Sequence, residues 1–169
     1  IVQAIQKWNT FTRLSLKQDI FIVAEDSSLP RPSSVCAGST PVLLGSQFVN
    51  PIVVRKHGSW IYPSATSAIA ITSTCPLADT PVNKFYAGAL DLNYQHFFVS
   101  GKPQPDLQSI MVHELGHLIG LRHSCENSPT RPNIPNCNDS GIDSNYKTAV
   151  MFPVFGFTGG YGEKRSTLN

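Results

Sequence analysis

The chain has 169 residues, 41% hydrophobic and 14% charged, with 13 basic against 11 acidic side chains and a net charge of +2. That length suits one domain, at most two small ones, and the apolar content suffices for a core, which excludes wholesale disorder. The near-balanced charge leaves no basic stripe for a phosphate backbone, and no apolar run approaches the roughly 20 residues of a spanning helix, so neither a nucleic-acid partner nor a membrane span is expected.

The residues from Ile1 do not read as a signal peptide, and the expectation is a mature or trimmed form. Ile1, Ile5 and Trp8 recur at helical spacing beside Val2 and Ala4, which predicts an amphipathic first helix. The apolar run from Asp19 to Ala24 predicts a buried strand. From Glu25 to Ser64, Pro, Ser and Gly surround short pieces at Val42–Leu44 and Ile52–Val54, which reads as a surface excursion with one hairpin. Ala68–Thr72 and Ala89–Tyr94 alternate as strands do. Asp106 is a natural helix N-cap, Leu107, Ile110, Met111, Leu115 and Leu118 supply an apolar side, and Gly120 suits the left-handed residue that ends a helix. Beyond it the chain reads as irregular.

The 4 cysteines, Cys36, Cys75, Cys125 and Cys137, contain no C-x-x-C pair, which favours two disulfides and a secreted setting. Three pairings exist. Cys125 and Cys137 enclose a short loop with Pro129, Pro132 and Pro135, which suits a local bridge and leaves Cys36 for Cys75.

Three of the chain's 5 histidines cluster around that helix. His113 and His117 are one turn apart on one face, where two imidazoles can reach one ion at about 2.0–2.1 Å. His123 follows the turn at Gly120 and can swing back as a third ligand, leaving a fourth position for water. Glu114 is rotated about 100° from His113, too far to be an equivalent ligand and near enough to act on that water.

The string His113-Glu114-Leu115-Gly116-His117-Leu118-Ile119-Gly120-Leu121-Arg122-His123 resembles the zinc signature of the metzincin metallopeptidases. Ser124 after the third histidine resembles the matrixin branch, and Ala149-Val150-Met151-Phe152-Pro153 resembles the matrixin Met-turn, with Met151 as an apolar floor beneath the histidines. The resemblance implies an α+β fold, with a first helix, a mixed β-sheet and a zinc-binding active-site helix, then an irregular C-terminal part carrying the Met-turn. Residues 1–169 would form a single catalytic domain lacking an N-terminal strand and a C-terminal helix.

Ala68, Ile69 and Ala70 would lie on an edge strand that binds substrate, and Ala89–Asn93 would precede the zinc helix. Val112, Pro153, Val154 and Phe155 would line the pocket for the side chain after the cut. The chain departs from the family's pattern in places. His57 is followed by Gly58 and Ser59 rather than an H-x-D pattern, so His57 and His96 are expected on the surface or in loops. Asp139 and Asp143 are close, but no ladder of carboxylates surrounds them, a weak basis for calcium. Pro153 stands where some metzincins carry an additional tyrosine ligand.

The resemblance thus implies a secreted, monomeric zinc endopeptidase that hydrolyses extended proteins or peptides through a metal-activated water, with Glu114 as general base. Two other readings stand beside it: a catalytically silent zinc-binding or adhesion module on the same scaffold, and a zinc hydrolase of non-protein amides.

Overall fold

The computed structural model describes residues 1–23, 42–44, 46–76, 85–129 and 133–168. It is of mixed α and β type with a small mixed sheet. The chain groups into two compact units, Ile1–Val23 with Ser100–Asn169, and Ala24–Val99. No helix among the described residues is long and apolar enough to cross a membrane.

The first unit is built on two helices, α1 (Val2–Leu16) and α2 (Leu107–Leu118). α1 buries Ala4, Trp8 and Thr12, a stripe at four-residue spacing, while Ile1 is exposed. The predicted helix is present, but its inward face is rotated from the Ile1–Ile5–Trp8 line toward the small Ala4, which lets α2 come close. Trp8 reaches across, and its Nε1–H donates to the Val112 carbonyl at 2.9 Å.

The strand expected over Asp19–Ala24 is not there: residues 19–23 carry no strand, and Ala24 lies outside the described residues. The Asn9 side chain takes the place of a neighbouring strand. Its Oδ1 accepts from the N–H groups of Ile20 and Phe21, and its Nδ2 donates to the Phe21 carbonyl at 2.8 Å. Phe21 is buried and Ile22 and Val23 are exposed, so among its described residues the apolar run contributes one to the core.

α2 starts at Asp106, whose carboxylate accepts from the Ser109 N–H at 2.9 Å and the Ser109 hydroxyl at 2.6 Å. It ends at Gly120, whose φ of 91° is strained for any residue with a Cβ. There the Gly120 N–H donates to the His117 carbonyl and the Leu121 N–H to that of Gly116, each at 3.0 Å, the paired bonds of a Schellman motif. The C-terminal part is not wholly irregular. It holds a short helix, α3 (Ser144–Thr148), and the last hairpin of the chain (Phe157–Thr158 with Tyr161–Gly162).

The second unit holds a hairpin, β1 (Val42–Leu44) with β2 (Gln47–Val49), and a three-stranded sheet. In that sheet β5 (Phe85–Asn93) lies between β3 (Ile52–His57), to which it is parallel, and β4 (Ala70–Pro76), to which it is antiparallel. The hairpin matches the sequence reading, whereas Ile52–Val54 belongs to a sheet strand, not a surface excursion. Its partner is distant in sequence, and a parallel pairing leaves no turn signal nearby. The predicted strand at Ala68–Thr72 begins two residues later, at Ala70.

As the middle strand, β5 is buried from Ala87 to Asn93. One of its faces carries Leu90 and Leu92, and the other carries Asp91 and Asn93. Parallel pairing sets Arg55 opposite Asp91 and His57 opposite Asn93, on that polar face. The Asp91 carboxylate is closed by a two-pronged contact from Arg55 (2.6 and 2.9 Å), by His57 Nε2 at 2.7 Å and by the Tyr62 hydroxyl at 2.8 Å. Burial alone would raise the Asp91 pKa, but those hydrogen bonds outweigh it and hold the group below the usual carboxylate range. His57 is thus half-buried in a strand and tied to Asp91, a correction to the surface reading. His96 lies in a turn, as expected.

Candidate metal centre

His113 and His117 sit one turn apart on α2, and His123 follows the Gly120 turn on irregular chain. The structure brings all three together: their ligating nitrogens lie within 4.8 Å of one another. His117 Nε2 is 3.1 Å from His113 Nε2 and 3.2 Å from His123 Nε2. His113 is the most enclosed, His117 is half-buried and His123 is exposed.

The other ring nitrogens show what the Nε2 atoms can do. His113 Nδ1 is 2.8 Å from the Val150 carbonyl, and His117 Nδ1 is 2.8 Å from the Leu121 carbonyl. A carbonyl only accepts, so in each ring Nδ1 carries the proton, and in the neutral ring Nε2 is left with a lone pair. Burial pushes the His113 pKa down to about 3, which keeps that ring neutral at physiological pH. The charges of His117, His123 and Arg165 act in the same direction, while the hydrogen bond to Val150 opposes. Burial also lowers His123, with a further push from His117 and opposition from Glu126.

The Nε2 lone pairs of His113 and His117, 3.1 Å apart with no proton between them, repel unless a cation or the His123 ring takes them up. The donor set therefore fits a metal ion, and a three-imidazole set suits a divalent first-row metal. Among the described residues, this is the group of His, Cys, Asp and Glu that could hold one. Asp139 and Asp143 serve local turns instead, accepting from the N–H groups of Gly141 and Asn145.

Glu114 follows His113 directly and is 6% exposed, a carboxylate carried into the interior beside the histidines in sequence. Met151 is also buried. A Cβ built on Gly116 would come within 2.5 Å of the Met151 sulfur, so the thioether lies directly against the α2 backbone between the two helical histidines. Backbone contacts fix the same turn twice: Val150 accepts from His113, and the Met151 carbonyl accepts from the Ser124 N–H at 2.9 Å. The methionine segment thus touches both the helix and the strand of chain that delivers His123.

Cys125 and Cys137 form a disulfide with an S–S distance of 2.03 Å, two residues beyond His123. Cys75 is buried and disulfide-bonded, whereas Cys36 lies outside the described residues. Of the expected pocket residues, Val112 is fully buried, Pro153 and Phe155 are half-buried, and Val154 is exposed. Ala68 and Ile69 precede β4, and Ala70 opens it. Among the described residues β4 pairs with β5 alone.

Three contributors escaped the sequence reading. The Val150 and Leu121 carbonyls orient the imidazoles, and no side chain marks a backbone acceptor in advance. Arg165 is the third, a buried cation near the end of the chain with no local motif around it. Comparison with protein-family models, curated proteins and solved structures returns no match to this chain.

Proposed function

We propose that the chain is a secreted zinc endopeptidase of the metzincin type, resembling the matrixin branch. The observation that carries this reading is the convergence of three imidazole nitrogens around a helix of the H-E-x-x-H-x-x-G-x-x-H pattern, two of them oriented by backbone carbonyls. A zinc ion held by His113, His117 and His123 would supply a Lewis acid and lower the pKa of water toward 7.

The protein's own groups do the rest. Glu114 accepts the proton of the attacking water and passes it to the leaving amine. Met151 fixes the floor of the site by packing. Among the described residues β4 pairs with β5 alone, which supports the reading that the substrate is an extended peptide bound by strand addition. The disulfide supports an extracytoplasmic setting.

Glu114→Gln tests the reading. The amide is nearly isosteric and removes no ligand, so one zinc per chain is retained while turnover of a casein-like substrate falls about 10²–10⁴-fold. His117→Ala loses zinc and activity together. Retention of both zinc and near-full turnover by Glu114→Gln refutes the mechanism, and a zinc-loaded wild type that cuts no peptide favours the binding module.

A further inference from the structure

From Phe152 to Gly156 the chain has no regular structure, and Pro153 offers no backbone donor. The carbonyls of this segment need donors from elsewhere. Arg165 supplies them: Nη1 donates to the Phe152 carbonyl at 2.9 Å and Nη2 to the Val154 carbonyl. The arginine is 8% exposed, and its guanidinium lies 5.3 Å from the centre of the Phe152 ring and 4.7 Å from that of Phe155. It is also paired with Glu163, which accepts from the Gly156 N–H at 2.8 Å.

The other end of the residue is anchored too. Its backbone N–H donates to Ser109 Oγ at 2.8 Å, and the Ser109 hydroxyl donates to the Asp106 cap. Arg165 therefore ties the 152–155 segment to the first turn of the helix that carries His113, Glu114 and His117.

We propose that Arg165 is a positioning residue that sets which side chain is accepted after the cleaved bond, by holding Pro153, Val154 and Phe155 as one wall of that pocket. The proposal rests on the peptidase reading above. Its geometric part follows from the planar fork of the guanidinium, which reaches two carbonyls at once while its flat face lies against aromatic rings; a lysine ammonium is a compact point charge without that rigid fork. Arg165→Lys is thus the informative change, since it keeps the charge and loses the fork.

Two measurements on the zinc-loaded protein test it. Amide hydrogen exchange over residues 152–157 is expected to quicken at least tenfold in Arg165→Lys, with the α2 amides and the zinc content unchanged. On peptides differing only after the cut, leucine against alanine, the ratio of kcat/KM is expected to fall about tenfold. Val154→Ala, at an exposed position that does not threaten folding, is expected to shift the same ratio without changing exchange. Unchanged exchange in Arg165→Lys overturns the positioning role. Quickened exchange with an unchanged ratio in both variants, on a wild type that does cut, overturns the specificity role alone. A zinc-loaded wild type that cuts no peptide removes the peptidase reading and the specificity role with it, whatever the exchange shows.

Discussion

Gly116→Ala is the smallest change that probes the floor of the metal centre. The added Cβ would stand 2.5 Å from the Met151 sulfur and 3.3 Å from both Met151 Cε and Trp8 Cζ2. A sulfur–carbon contact needs roughly 3.5–4 Å, so something must move by about 1 Å. Trp8 is held by its bond to Val112, and the Met151 backbone by its bond to Ser124, so neither yields freely. Overpacking of this kind costs about 1–3 kcal/mol, and the severity places it at about 2–3. Replacing a helical glycine by alanine returns about 1 kcal/mol. The net loss is about 1–2 kcal/mol, or a fall in Tm of about 2–8 °C for a chain of this size.

A shift of the 149–152 turn also draws the Val150 carbonyl away from His113 Nδ1, and loss of such an orienting partner typically weakens metal binding 10–100-fold. Thermal melting and competitive zinc titration read the two effects. The double variant Gly116→Ala/Met151→Ala removes the clash, so it should show a favourable coupling of at least about 1 kcal/mol in the mutant cycle. A single variant as stable and as tight for zinc as the wild type, with no coupling, refutes the packing argument.

Two other outcomes follow from the same structure. The Asp91 carboxylate has a lowered pKa, so its contribution is present above the unfolded carboxylate pKa near 4 and is lost as pH falls through the lower folded value. Asp91→Asn should cost toward the lower end of the roughly 3–5 kcal/mol for a broken buried pair and flatten the acid limb of a stability–pH curve; an unchanged limb contradicts the assignment. Reduction of Cys125–Cys137 should loosen the chain that delivers His123, with a loss of up to about 3 kcal/mol in stability and weaker zinc binding. Equal zinc affinity in the oxidised and reduced proteins would show that the disulfide does not support that ligand.

What could be read from the sequence was mostly local. Asp106, Gly120 and the spacing of His113, His117 and His123 each act within a few residues, so the helix that carries the histidines and its two ends were visible in advance. Cys125 and Cys137 were readable for the same reason. The failures share a different cause. Asp19–Ala24 looks like a strand by composition, but Asn9 from the preceding helix satisfies its backbone instead. Ile52–His57 finds its partner in β5, far along the chain. His57 looked like a loop residue because nothing near it in sequence announces Asp91. Arg165 reads as an ordinary terminal arginine until the fold brings it beneath two phenylalanines.

The end of α2 does two jobs with the same few atoms. The turn that stops the helix at Gly120 also presents the Leu121 carbonyl to His117 Nδ1. The tautomer of that imidazole is therefore chosen by helix termination, an event of local chain folding, and not by the arriving ion. With His113 oriented in the same way by Val150, two Nε2 atoms converge on one point before any ion arrives. An ion at that point would find two of its three imidazoles already oriented by the backbone, with the exposed His123 left to complete the set.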